Sequence, residues 1–186
     1  MLNHTYIKVT SLVRGTFLNN KGGMEMSYSS YPSEYDAMVG GFFVIFLFIA
    51  LALALLGYII MAVVYYITSK TNGLQEIAFM SWIPIVNVYV LFALVSDKET
   101  LEEIKKEALK WTLIYIGLLI VSFIPIIGFI ASIAAMVIGI YYIYRLFYRW
   151  TGEQGMSILF VVLTFITGSI FLYIYGLIKM KKPFVV

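Results

Sequence analysis

The stretch Ala37–Ser69 reads AMVGGFFVIFLFIALALALLGYIIMAVVYYITS and contains no Asp, Glu, Lys or Arg. A helix needs only about 20 predominantly apolar residues to cross roughly 30 Å of hydrocarbon. This stretch is longer than that, so a helix formed by it must tilt or extend into water. It therefore predicts a membrane-spanning helix.

Three more stretches lack charged residues in the same way, and they are Ile77–Ser96, Trp111–Tyr144 and Gln154–Ile178. Of the 186 residues, 62% are hydrophobic and 12% are charged, against about half and about a quarter in a soluble domain. Apolar residues run continuously instead of alternating, which argues against transmembrane strands. The sequence predicts an all-α, polytopic integral membrane helix bundle with four to five hydrophobic segments, some of them broken by proline.

We divide the chain into a polar N-terminal tail, residues 1–36, and a membrane domain, residues 37–186. Within the tail, Lys21-Gly22-Gly23 can be encoded by codons that read as a bacterial ribosome-binding sequence. Residues 1–25 are therefore either a segment that is not translated naturally, with the start at Met24 or Met26, or a flexible tail with a Gly-Gly turn.

Two prolines interrupt the apolar stretches. Pro84 makes Ile77–Ser96 either a kinked span or a re-entrant hairpin, because proline removes one helical hydrogen bond. Asn87 follows three residues later, where its amide can bond the freed carbonyl or a neighbouring helix. Pro125 and Gly128 predict a tight turn that makes the third stretch a helical hairpin.

The two proline segments resemble each other. Ser81–Val88 (SWIPIVNV) recurs 41 positions later as Ser122–Phe129 (SFIPIIGF). Several transporters build a site at the bilayer midplane from a repeated broken helix. The alternative is that apolar sequences match by chance and that the shared proline is a structural device.

Charge is concentrated between Asp97 and Lys110, which carries five acids and four lysines. Ser96-Asp97-Lys98-Glu99 has the form of a capping box and predicts a helix start. The following segment is amphipathic, with Glu102 and Lys106 spaced as an ion pair. We expect residues 97–110 to form a cytoplasmic helix along the membrane surface, or alternatively a docking helix for a soluble partner.

Small residues recur along the second arm of the predicted hairpin. They are spaced so that another helix can approach closely, and they are Gly128, Ala131, Ser132, Ala135 and Gly139. We expect the Ala131–Ala135–Gly139 face to lie against a helix and not against lipid.

The composition argues against most enzyme chemistry. Cysteine is absent and the only histidine is His4, outside every apolar stretch, so we propose no metal, cofactor or catalytic residue. The net charge of +3 comes with no nucleic-acid-binding signature. We therefore expect neither an enzyme nor a nucleic-acid partner.

The segment Lys70–Leu91 contains a turn at Gly73 and then Ile83-Pro84-Ile85-Val86-Asn87-Val88-Tyr89. It resembles a family of small uncharacterised bacterial multi-span membrane proteins, whose hallmark is a glycine loop followed by Ile-Pro-x-x-Asn-x-Tyr. The resemblance implies a multi-pass protein of the bacterial cytoplasmic membrane. It implies no activity, because the function of that family is unknown.

The sequence favours a non-catalytic membrane protein that acts through helix–helix contacts, as a subunit of a membrane assembly or as a small accessory or immunity-type protein. Its partners would be the lipid bilayer and either another membrane protein or further copies of itself. The alternative is an oligomeric channel or transporter for ions or small solutes, lined by the proline-broken segments. A pore should align its polar side chains around water, whereas a packing protein should bury them between helices; they are Asn87, Ser122, Ser132, Thr164, Thr167 and Ser169.

Topology depends on whether Ile77–Ser96 crosses the membrane. A re-entrant segment puts the N-terminal tail outside and brings Lys70 to the cytoplasm, as the positive-inside rule favours. A crossing segment puts the tail inside. If the last apolar segment, Met156–Ile178, also crosses, the re-entrant arrangement leaves the C-terminal lysines outside.

Overall fold

A computed structural model describes residues 16–18, 24–26 and 34–186. Two short antiparallel strands, β1 (Thr16–Leu18) and β2 (Met24–Met26), pair in the N-terminal part. From residue 34 onward the described chain is helical, and its α-helices are α1 (Glu34–Thr71), α2 (Gln75–Ala78), α3 (Asn87–Leu94), α4 (Leu101–Val121), α5 (Ile127–Thr151), α6 (Gln154–Ile166) and α7 (Ile170–Lys179), with a 3-10 turn at Phe79–Trp82. The all-α prediction is confirmed there.

Two of these helices, α1 and α5, are long and apolar enough to cross a membrane. Helix α1 has 38 residues and is therefore about 57 Å long. Internal contacts divide the chain into Met1–Ala52 and Leu53–Val186, with the division inside α1. The boundary between a polar tail and a membrane domain at residue 36 remains a prediction. The proposed translation start remains a prediction, because most of residues 1–25 lie outside the described part of the chain.

The core of the second unit is aromatic. Phe147 on α5 is fully buried, and its ring contacts four other rings with centroids 5.6 to 6.2 Å apart. Their residues are Trp150, Phe160, Phe171 and Tyr175. Such aromatic pairs contribute about 0.5–1.5 kcal/mol each beyond the area they bury. This cluster joins α5, α6 and α7.

Ile77–Ser96 does not form one kinked helix, and whether the segment crosses the membrane remains a prediction. The segment contains the 3-10 turn Phe79–Trp82, an extended residue at Ile83 and then α3. Helix α3 has eight residues and is about 12 Å long. Proline thus ends one helical piece and separates it from the next, instead of bending a continuous helix.

The predicted hairpin in Trp111–Tyr144 is confirmed. Helix α4 ends at Val121 and α5 begins at Ile127, so the reversal occupies the predicted proline and glycine positions. The amphipathic segment and the first arm of this hairpin form one helix, because α4 runs from Leu101 without a break.

The last apolar segment is divided by a turn that we did not predict. Met156–Ile178 does not form one helix, because the chain turns at Thr167, Gly168 and Ser169 between α6 and α7. Gly168 and Ser169 both have positive φ, 58° and 75°, and left-handed backbone at two successive residues ends a right-handed helix. The segment is therefore a second helical hairpin.

The start of the amphipathic helix also differs from the prediction. Thr100 is the N-cap residue and its hydroxyl accepts a hydrogen bond from the Glu103 amide at 3.3 Å. The Thr100 hydroxyl also donates to the Glu103 carboxylate at 2.8 Å. Ser96 instead donates to the Glu107 carboxylate. The predicted capping box at Ser96–Glu99 is wrong, and residues 97–100 precede the helix.

We expect Thr100→Ala to lower the free energy of unfolding by about 1 kcal/mol, because the amide of Glu103 loses its capping acceptor. In a chain of this size that corresponds to a fall in melting temperature of about 2–4 °C. Thermal unfolding in detergent measures it. The matched control is Glu99→Ala, which should leave the melting temperature within about 1 °C; a larger effect at Glu99 than at Thr100 would contradict the cap assignment.

Candidate functional site

The two proline segments form the same turn. Proline cannot donate to the carbonyl four residues before it, which leaves Met80 O and Val121 O without that donor. Each carbonyl is instead bonded by the amide three residues after it, Ile83 N to Met80 O at 3.1 Å and Ile124 N to Val121 O at 3.0 Å. The repeat in sequence is therefore also a repeat in backbone geometry.

The residue after each proline has an unusual backbone conformation. Ile85 has φ 70° and Ile126 has φ 71°. Positive φ is strained for a β-branched residue. At Ile126 the ψ of −64° and the hydrogen bond from Ile127 N to Pro125 O at 2.9 Å define a γ-turn. Strain of this kind costs of order 1–3 kcal/mol and persists only where the surrounding structure imposes it.

Asn87 and Gly128 occupy equivalent positions in the two turns. Their backbone amides donate to Ile83 O at 3.0 Å and to Ile124 O at 2.7 Å. The expected role of Asn87 in bonding the freed carbonyl is therefore wrong, since Ile83 N bonds Met80 O, and it is the backbone of Asn87 that closes the turn. Gly128 is needed for closeness, because a Cβ atom there would lie 2.3 Å from Ser122 O.

The predicted packing series lies along α5. Ala131 and Ala135 are both 4% exposed, whereas Ser132 is exposed. A Cβ atom at Gly139 would lie 3.9 Å from the hydroxyl of Tyr115 on α4. Ala131 and Ala135 therefore lie on the buried side of α5, and Gly139 lies next to α4, whereas Ser132 is exposed.

Two glycines that we did not predict allow closer approach than Gly139 does. A Cβ atom at Gly57 on α1 would lie 2.7 Å from the hydroxyl of Tyr173, and one at Gly176 on α7 would lie 3.0 Å from Val64. These contacts bring the second half of α1 against α7. The sequence signal was weak, because each of the two apolar runs contains three glycines and nothing distinguishes these two from the others.

Charged segments that are far apart in sequence meet through direct hydrogen bonds. We call this the charged face; it consists of residues 70–76, 96–107, 145–153 and 179–186. Glu76 pairs with Lys105 at 2.5 Å and Asp97 pairs with Arg145. Thr71 Oγ1 donates to Met180 O at 3.2 Å, and Val185 N donates to Arg149 O at 2.8 Å.

Arg145 and Arg149 bond the carbonyls that follow α3. Arg145 donates to Val95 O at 3.0 Å, and Arg149 donates to Ser96 O at 2.6 Å. Carbonyls at a helix C-terminus have no helical donor, and cations are favoured there by the helix dipole. The two arginines therefore fix the end of α3 to α5.

Lys105, not Lys106, forms the ion pair in this region. The predicted pair of Glu102 with Lys106 is absent from the ion pairs of the described residues, which join Lys105 to Glu76 and Arg145 to Asp97. The hydrogen bond with Glu76 raises the pKa of Lys105. Lys105 therefore keeps its positive charge at neutral pH.

Several polar side chains within the apolar arms bond back to their own helix. Thr112 donates to Ala108 O at 2.7 Å, Thr164 to Phe160 O at 2.7 Å and Thr167 to Leu163 O at 2.8 Å. Ser122 likewise donates to Leu119 O at 2.6 Å. These hydroxyls neither cross between helices nor need water, which differs from both arrangements that we considered for them.

We expect Gly128→Ala to lower the melting temperature by several degrees, because its methyl group would overlap the backbone of Ser122 and open the α4–α5 turn. Gly117→Ala is the matched control, since a Cβ atom there has no neighbour within 4 Å. That control should be stabilising by about 0.5–1 kcal/mol through helix propensity. Equal responses at the two positions would contradict the close approach at Gly128.

Comparison of the chain with protein-family models, with curated proteins and with solved structures gave no match.

Proposed function

We propose that this chain is an integral membrane protein that acts without catalysis, through helix–helix contacts, as a subunit of a membrane assembly or a small accessory or immunity-type protein. The observation that carries the proposal is the separation of charge from apolar surface. Charged segments meet at one face, whereas the turns carry large exposed apolar side chains, such as Phe123 at 88% and Ile166 at 76%.

The helices on either side of the turns have lengths that suit insertion of a hairpin from one side of a bilayer. The apolar part of α4 from Lys110 to its turn is about 17 Å long, α6 is about 20 Å and α7 about 15 Å. These three lengths are shorter than the roughly 30 Å of the hydrocarbon core. Helix α5 is long enough to cross, and its uncharged part from Ile127 to Tyr144 is about 27 Å long, so its turn would reach deepest into the bilayer. Tyr141, Tyr142 and Tyr144 lie near the charged end of α5, where aromatic residues are favoured at the membrane interface.

The membrane bundle then has four inserted parts. Helix α1 crosses, and three hairpins dip in and return, at Pro84, at Pro125 and at Gly168. This arrangement supports the re-entrant alternative for Ile77–Ser96. It also removes the charge conflict at the C-terminus, because the last segment is a hairpin and Lys179, Lys181 and Lys182 return to the side on which α6 begins.

The first half of α1 has an apolar surface that must be covered by lipid or by a partner helix. Every residue from Ala37 to Leu56 is exposed, and none of them is polar. A helix that is apolar on all sides is buried in a membrane or in other protein. In hydrocarbon, packing with another helix adds contacts that lipid does not replace fully.

The alternative is an oligomeric channel, and one observation favours it. The hydroxyls of Thr68, Ser69 and Ser81 are buried without a hydrogen-bond partner among the described residues. Buried polar groups of this kind are commonly bonded by internal water. Against a channel, the hydroxyls in the hairpin arms are already bonded to their own helices.

Single cysteines test the membrane arrangement, because the chain has none of its own. In intact cells we expect an impermeant thiol reagent to label Ser33→Cys and not Lys98→Cys or Lys181→Cys. Permeabilised cells should add labelling at positions 98 and 181. Phe123→Cys and Ile166→Cys should stay unlabelled in both conditions, because their turns end within hydrocarbon.

Labelling of Phe123→Cys in intact cells would show that the α4–α5 hairpin crosses the membrane. Labelling of Lys181→Cys in intact cells would show the same for the last segment. Either result contradicts insertion from one side. Release of the protein from membranes by alkaline carbonate, together with labelling at every position, would contradict integration into the membrane.

A photo-crosslinking amino acid at Phe46 tests the assembly. We expect ultraviolet light to give a crosslinked band of discrete mass larger than the 21.2 kDa chain, from the native membrane. The same probe at Ile166, on a turn facing lipid in the proposed arrangement, is the control and should give no such band. Bands of equal yield at both positions would contradict a specific partner contact at α1. Ion flux in proteoliposomes that Ser81→Ala abolishes would favour the channel.

A further inference from the structure

An apolar groove runs along one side of α4. It has a volume of about 480 Å³, within the range of roughly 300–1,000 Å³ that is usual for small-molecule sites. One wall is a stripe of α4, and the other comes from the Met80–Tyr89 segment. The lining residues are Met80, Val86, Tyr89, Lys105, Lys106, Leu109, Thr112, Leu113 and Ile116.

The groove is amphipathic along its length. Lys105 and Lys106 come first on α4, and Leu109, Leu113 and Ile116 follow on the same stripe. From Lys105 to Ile116 the helix rises about 17 Å. A ligand that fills it must therefore combine a polar end with a long apolar part.

Charge decides which polar end fits. The lining contains two lysines and no carboxylate. Glu76 pairs with Lys105 at 2.5 Å and takes up part of its charge. Lys106 lies outside both ion pairs found among residues 37–186. It borders Glu103 and Glu107 in a neighbouring groove, but no carboxylate pairs with it directly, so its ammonium group can pair with a ligand. The polar groups beside it should be negative.

Two hydroxyl groups also line the groove, those of Tyr89 and Thr112. Thr112 Oγ1 donates its hydrogen to Ala108 O at 2.7 Å. That hydrogen is therefore engaged within the helix, and the methyl group of Thr112 suits contact with a hydrocarbon chain. The lower groove is apolar in effect.

We propose that this groove binds one anionic phospholipid, with the phosphate at Lys106 and Lys105 and an acyl chain along Leu109, Leu113 and Ile116. The inference rests on the proposed membrane location, since that location puts the lysines at the level of the headgroups. Basic pockets between helices on the cytoplasmic side are known to hold anionic headgroups.

Native mass spectrometry of the full chain in mild detergent tests the proposal. Equal concentrations of phosphatidylglycerol and phosphatidylcholine with identical acyl chains are offered to the protein. We expect preferential retention of one phosphatidylglycerol molecule. Lys106→Gln should reduce the preference about fivefold, because one lysine near an anionic surface contributes about that factor.

Two matched controls separate a site from general surface effects. Lys181→Gln makes the same charge change at an exposed lysine outside the groove and should leave the preference unchanged. Leu113→Trp fills the groove and should lower the retention of both lipids. Leu159→Trp makes the same change at an exposed leucine of α6 and should lower neither.

Equal retention of the two lipids by the unsubstituted chain would overturn the headgroup assignment. Equal effects of Lys106→Gln and Lys181→Gln would overturn the site, and so would unchanged retention in Leu113→Trp. These failures are distinguishable from failure of the proposed function, because thiol labelling in cells measures membrane placement without reference to lipid class.

Discussion

The carbonyl that each proline leaves without a helical donor is the constraint on which the structure of residues 53–186 depends. Met80 O and Val121 O both take the amide three residues later in place of the missing one. That bond tightens the last turn of helix, and the residue after proline then takes a positive φ. The chain reverses at both places, and each reversal returns it toward charged residues.

The same reversals explain why charges from distant parts of the sequence are neighbours. Arg145 meets Asp97 across 48 positions because α5 returns beside the start of α4. Arg149 reaches Ser96 O in the same way and closes the end of α3. The strained residues Ile85 and Ile126 are enclosed by hydrogen bonds, from Asn87 N to Ile83 O and from Gly128 N to Ile124 O. The local geometry of the two turns therefore determines which charged segments become neighbours.

The sequence predicted the helix breaks correctly where proline or glycine restricts the backbone. Pro125 with Gly128 predicted the α4–α5 reversal, and Pro84 predicted a break before α3. It missed the α6–α7 turn, because Gly168 stands in a long uncharged run without proline and glycine is tolerated within membrane helices. It also failed at the helix start, where Ser96 and Thr100 both precede a glutamate by three residues. Tertiary contacts decide between them, since Glu107 and Arg149 engage Ser96. The close contacts at Gly57 and Gly176 depend on which helices become neighbours, which a single sequence does not reveal.

A helical hairpin that enters a membrane from one side does not have to carry its flanking charges across. Moving one lysine, arginine or aspartate to the centre of the bilayer costs about 2.5–3.5 kcal/mol on insertion scales. A hairpin that turns within hydrocarbon carries none of its flanking charges across. In the proposed arrangement, the five acids and four lysines between Asp97 and Lys110 stay on the side of synthesis throughout. Of the polar segments, only the one before α1 has to be translocated in that arrangement, so the main energetic demand of insertion falls on the residues that precede α1.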